Sequence, residues 1–200
     1  MKRLLIVLIL FFSYASYSQT AKEYFNRAYD KVENGDYYGA IADFNKAIEL
    51  DPDNAGTYIN RGVAKRRLED YYGAISDYNK AIELDPSYTK AYGNRGLAKK
   101  KLEDYYGAIA DYNKAIELNP DYTDAYINRG NAKSRLKDYY GAIADYNKAI
   151  ELDPNDASVY SNRGISKEDL GDLDGACSDW RKAANLGHTN AKKWVANNCN

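Results

Sequence analysis

The chain has 200 residues and a formal net charge of -1, a balance that gives no electrostatic footprint for nucleic acid or for an anionic membrane surface. One His and two Cys leave little material for a metal site or a Cys–His active centre. No nucleophile–base pair, Gly-rich phosphate loop or carboxylate pair set against a pocket is found, so neither an enzyme nor a cofactor is expected.

The first residues, "MKRLLIVLILFFSYASYSQT", have a basic start at Lys2 and Arg3 and an apolar run from Leu4 to Phe12. That run is too short to span a bilayer, which needs roughly 20 residues. It reads as a secretory signal peptide, residues 1–18, cut between Ser18 and Gln19 after small residues at Ser16 and Ser18; the alternative is an uncleaved membrane anchor. Export to a periplasm is expected, with secretion as the other route, and no membrane span remains after cleavage. No Cys follows the apolar run, which leaves no attachment residue for a lipid anchor.

Residues 19–200 then read as a single array. "DYYGAIADFNKAIELDP" begins at Asp36 and returns, nearly unchanged, at Asp70, Asp104 and Asp138; a worn copy, "DLDGACSDWRKAANLGH", begins at Asp172. The starts are 34 residues apart, a period that announces stacked supersecondary units. In residues 55–88, Ala74, Ile75, Tyr78, Ala81, Ile82 and Leu84 form one apolar helical stripe, with Asp70 placed as N-cap and Asp85-Pro86 as the stop. Tyr58, Gly62, Ala64 and Leu68 mark a preceding helix. Two short helices cannot bury their stripes alone, so each copy is the packing partner of the next.

The spacing Tyr58-x2-Arg61-Gly62, then Ala74-x3-Tyr78, then Pro86 resembles the tetratricopeptide repeat. The resemblance implies an all-α fold, an α-solenoid of five helix-turn-helix repeats (21–54, 55–88, 89–122, 123–156, 157–190) with a C-terminal capping helix at 191–200. It implies a non-enzymatic protein–protein interaction scaffold whose first helices line a groove for an extended peptide or partner segment. A structural subunit that self-associates end to end is the other reading. Arg61 and Lys65 depart from the family pattern, which has Leu and Tyr there.

The Arg departure has a candidate partner. Each repeat has an Arg in its first helix (Arg27, Arg61, Arg95, Arg129, Arg163) and an Asp in its second (Asp43, Asp77, Asp111, Asp145, Asp179), both among apolar positions. A half-buried Arg needs a carboxylate, so these predict a ladder of structural ion pairs.

The first helices vary more than the second, which either tunes binding or records tolerated drift. One residue there is constant: Asn26, Asn60, Asn94, Asn128, Asn162. An amide can pair with a peptide unit through donor and acceptor alike. The line is similar to the asparagine ladder in the repeat arm of the O-GlcNAc transferases; the alternative is that each Asn bonds its own backbone or supports stacking. Family geometry would expose Ile59, Val63, Leu97, Ile127 and Ile165 beside it, with Arg66, Arg67, Lys100, Lys101 and Arg135 as a basic rim. Glu33, Glu168 and Asp169 make the ends acidic. A protein or peptide with acidic and apolar residues would suit such a centre. The Lys–Asn clamp with which some family members hold chaperone tails is absent: Phe25, Tyr29, Ile59 and Val63 stand in its places.

Cys177 and Cys199 lie eleven residues either side of His188, which reads as a surface turn residue. On antiparallel helices around that turn they sit at matching heights, within reach of a disulfide in an oxidising compartment. The alternative is two free thiols, one packed and one in the tail.

Overall fold

The computed structural model describes residues 20–199; the segment 1–18 read as a signal peptide lies outside them. In chain order the helices are α1 (residues 20–33), α2 (Tyr37–Leu50), α3 (Ala55–Arg67), α4 (Tyr71–Leu84), α5 (Thr89–Lys101), α6 (Tyr105–Leu118), α7 (Thr123–Arg135), α8 (Tyr139–Leu152), α9 (Ala157–Asp169), α10 (Leu173–Asn185) and α11 (Thr189–Asn198). Odd-numbered helices are the first of each repeat and even-numbered ones the second. α11 stands after the fifth pair, and the fold is an α-solenoid of five repeats plus that helix. No strand occurs among the described residues, and no helix there is long and apolar enough to cross a membrane.

The chain forms two compact units, one up to Ala98 and one from Lys99, so the boundary falls inside α5. In the first unit α3 packs on α4 and, on its other side, on α2. In the second, α7 packs on α8 and α9 on α10, while α6–α7, α8–α9 and α10–α11 make the contacts between successive pairs.

Local chemistry sets these elements. Asp70 accepts the N–H of Gly73 at 2.9 Å and so caps α4; Asp36, Asp104, Asp138 and Asp172 do the same for their helices. A Cβ on Gly73 would lie 2.1 Å from the Asp70 carboxylate, so "DYYG" is one capping unit rather than four independent residues. Inside the pairs, the Tyr78 ring lies flat on Gly62, where a Cβ would come within 2.6 Å of the ring. Tyr146 on Gly130 and Trp180 on Gly164 repeat the contact. The core is built of such aromatics with fully buried alanines, among them Ala74, Ala81, Ala142 and Ala149, which allow close helix axes.

α11 begins at Thr189, two residues before the predicted start, because His188 is its N-cap and not a plain turn residue: Nδ1 accepts the Ala191 N–H at 3.2 Å. The disulfide Cys177–Cys199 joins α10 to the end of α11. Trp194 packs against Trp180 at 5.5 Å between ring centroids, and Arg181 donates to the Cys199 carbonyl at 2.7 Å.

Candidate protein-interaction face

Four pairs of the predicted ladder, Arg27–Asp43, Arg61–Asp77, Arg129–Asp145 and Arg163–Asp179, occupy the seam between the two helices of their repeats. Arg61 donates Nε and Nη2 to the two oxygens of Asp77, at 3.0 and 2.6 Å. Arg27–Asp43, Arg129–Asp145 and Arg163–Asp179 are bidentate in the same way. The carboxylates are buried, with 4–8% of the side chain exposed.

The motif carries two members that the sequence reading missed. A Lys four residues after each Arg reaches the same Asp: Lys31, Lys65, Lys99, Lys133 and Lys167, at 2.8–2.9 Å. One buried carboxylate thus serves two cations. The remaining guanidinium nitrogen, Nη1, crosses to the preceding repeat: Arg61 to Asn45, Arg95 to Asn79, Arg129 to Asn113 and Arg163 to Asn147, each at 2.6–2.7 Å. Each Arg also lies over the Tyr three residues before it, at 4.8–5.5 Å. The visible signal was the constancy of Lys and Asn at these places, read only as a departure from the family in the first case and passed over in the second.

The Arg27 hydrogen bond holds Asp43 down at about 2, against burial, which pushes it up, and with Lys31 assisting. The folded value lies below the ordinary carboxylate value of about 3.9. The contribution is therefore complete above about pH 4 and is lost as pH falls through the folded value. A carboxyl NMR titration should place Asp43 well below the exposed Asp residues; an ordinary midpoint would show that the pair does not form in solution.

The asparagines of the constant line are not presented alike. Asn60 and Asn128 each tie Nδ2 to the carbonyl four residues back, Gly56 at 2.9 Å and Asp124 at 2.8 Å. Asn162 donates to Asn131 at 3.1 Å. Asn26 is exposed and Asn94 half-buried. Ile59 is not exposed, contrary to the family geometry: it is 6% accessible and belongs to the core of the first unit. The ring of Tyr88, in the turn before α5, packs against that same core, so the place holds an apolar contact rather than an open surface. Val63, Leu97, Ile127 and Ile165 are half-buried, Arg67, Lys101 and Arg135 exposed, and Arg66 half-buried. Burial of the Tyr78 phenol beside Arg66 pushes it up to about 12.

In the second unit these positions assemble a polar network. Lys100 donates Nζ to Asn128 Oδ1 at 2.6 Å. Tyr146 donates its hydroxyl to Asn131 Oδ1 at 2.8 Å, the oxygen that also takes Asn162. Arg135 donates to the Tyr105 hydroxyl at 3.2 Å and lies 5.8 Å over its ring. Burial lowers the Lys100 pKa, and Lys101 lowers it further.

A repeated helix hairpin with a conserved cap, an Ala-rich seam and a constant turn defines an α-solenoid of the helix-turn-helix class. The tetratricopeptide repeat family pattern matches residues 55–88, 89–122 and 123–156, and two further TPR patterns match 28–68 and 145–178. The chain belongs to the tetratricopeptide repeat family, whose fold serves as a protein–protein interaction scaffold. Among solved structures it is similar to a MamA protein, at 29% identity with a TM-score of 0.77, over 87% of this chain and 95% of that one. It is also similar in fold to MamA from Desulfovibrio magneticus RS-1 (22% identity, TM-score 0.79, covering 84% of this chain and 94% of that one). A third is YrrB, described as a TPR protein with an unusual peptide-binding site (23% identity, TM-score 0.72, 88% and 97% covered). No curated protein sequence matches the chain.

Proposed function

We propose that this chain is an exported, non-enzymatic scaffold that holds an extended protein segment along its first helices, and that the segment brings a carboxylate to Lys100. One observation carries the reading. Lys100 is half-buried and tied to a neutral amide at 2.6 Å, whereas Lys99 beside it sits on Asp111 at 2.8 Å. Burying a charged ammonium is costly unless a partner supplies the opposite charge. The leader-like first residues support periplasmic residence, and half-buried Ile127 stands beside Asn128 on α7. The fifth repeat speaks against the other reading, end-to-end self-association: where the other second helices have the Asn that accepts the next Arg it has Arg181, and α11 packs on α10 there.

A photo-reactive residue at Leu97 should trap the partner in cells, and titration of the isolated pair should then give its affinity. A charge-assisted hydrogen bond is worth about 1.5–3 kcal/mol, so Lys100→Glu should weaken binding roughly 10- to 100-fold, with added salt moving the wild type the same way. Unchanged affinity in Lys100→Glu would remove the carboxylate from the account.

A further inference from the structure

The first unit contains a cleft of about 340 Å³ between α1 and α3. Its floor is buried, made by Ala21, Ala47 and Thr57; half-buried Phe25 and Asp51 are its walls, and Lys22, Asn26 and Asn54 form an exposed rim. The repeat shows what such a place holds. One period on, Asn54 is replaced by Tyr88, whose ring packs on the core that contains Ile59, Ala81 and Ala91, the counterparts of Phe25, Ala47 and Thr57. The Tyr88 hydroxyl reaches to 4.0 Å from where a Cβ on Gly56 would stand, and Gly56 is the counterpart of Lys22. A further period on, Tyr122 stands in the same place and is half-buried. In the first repeat the shorter Asn54 turns away instead, accepting the Thr57 N–H at 3.1 Å as the N-cap of α3.

We infer that this cleft is a subsite for a tyrosine-like aromatic side chain of the bound partner, seated where Tyr88 sits one repeat later. The mould is the chain's own. The positions around the phenol ring in the second repeat recur in the first as Phe25, Ala47 and Thr57, and the ring itself is missing at Asn54. Lys22 stands in the place of Gly56, so its side chain starts about 4.0 Å from the position of the phenol oxygen and is long enough to bring its ammonium there as a donor. That favours a phenol over a plain benzene ring. Pockets of this size with an apolar floor and a few polar rim groups are the usual form of a small-ligand site. The occupant rests on the groove reading, because α1 and α3 are first helices of that face; the cleft's preference for a phenol does not.

The probes are p-cresol and toluene, titrated into the full-length protein and followed by amide NMR. Saturable shifts confined to α1, the end of α2 and the start of α3, at least several-fold tighter for p-cresol, are expected. Asn54→Tyr should fill the cleft from within and abolish uptake while circular dichroism and melting stay close to wild type. The lost cap bond is tolerated at Tyr122, which caps α7 without one. Lys22→Ala should erase the preference for p-cresol over toluene and leave the fold unchanged. A wild type that takes up neither probe, or an Asn54→Tyr variant that binds p-cresol as well as wild type, overturns the subsite. If Asn54→Tyr blocks p-cresol yet leaves the affinity for the trapped partner unchanged, the partner's aromatic is not the occupant. That outcome is distinct from failure of the groove, which is read separately by Lys100→Glu.

Discussion

Asp145→Ala should destabilise the second unit by about 3–5 kcal/mol, the usual cost of removing one partner from a buried ion pair. Asp145 has 5% of its side chain exposed and takes Arg129 through both oxygens and Lys133 through one, so its removal strands two cations at once. Arg129 and Lys133 keep 17% and 21% exposure, which lets each turn partly to water and sets the effect toward the lower end. Arg129→Leu should also cost stability, because Asp145 keeps only Lys133 and Asn113 loses its donor. Combining Arg129→Leu with Asp145→Leu should recover much of the loss, since well-packed apolar residues often replace a buried pair without penalty. Urea unfolding followed by circular dichroism reads these variants together with the single change Asp145→Leu, which closes the cycle. Additive single effects would show that the two side chains do not interact.

Opening the Cys177–Cys199 bond should have the second large effect, and a local one. The bond closes a sequence separation of 22 residues, for which loop-closure entropy gives about 3 kcal/mol. α11 has a neighbour on one side only, so without the bond it should fray before anything else. The chain's two Trp residues, Trp180 and Trp194, both lie at this corner. Trp emission, excited at the red edge where the 21 tyrosines do not absorb, therefore reports that corner. Reduction, or the Cys177→Ser/Cys199→Ser pair, should shift Trp emission and speed amide exchange in α11 while leaving α7 and α8 protected. Exchange that rises equally across the second unit would show that the bond holds more than the terminal helix.

How far the residues announced all this varies with the length scale of the cause. Helix starts and stops were legible, because Asp70 and Pro86 act on their own neighbours. The Arg–Asp seam was legible because charges at apolar positions demand partners, and equal spacing about His188 brought the cysteines to one height. Lys65 was seen as a departure but not as a second cation on Asp77, since nothing in one repeat says that two cations share a carboxylate. Ile59 was misplaced because its burial depends on Tyr88, a turn residue of the following repeat boundary. The cleft at Asn54 was invisible for the same reason: a cavity is the absence of a side chain, and the side chain in question belongs to a turn, not to the helices that line it. The polar network at Lys100 needed rotamers that spacing does not specify.

The crossing bond from each Arg to the Asn of the preceding repeat has a consequence for how such a chain can lengthen. Asn45, Asn79, Asn113 and Asn147 present the same acceptor to the next Arg, at the same distance within 0.1 Å. Any internal 34-residue module therefore ends in a socket that fits the plug of any other. A gene could gain or lose a whole module by unequal crossing-over and every joint would still close, whereas an insertion of any other length would misalign plug and socket. The final module alone lacks the socket, because Arg181 stands there and turns to the Cys199 carbonyl. Joints of this kind can therefore be duplicated or lost upstream of Arg181, where the Asn acceptors stand.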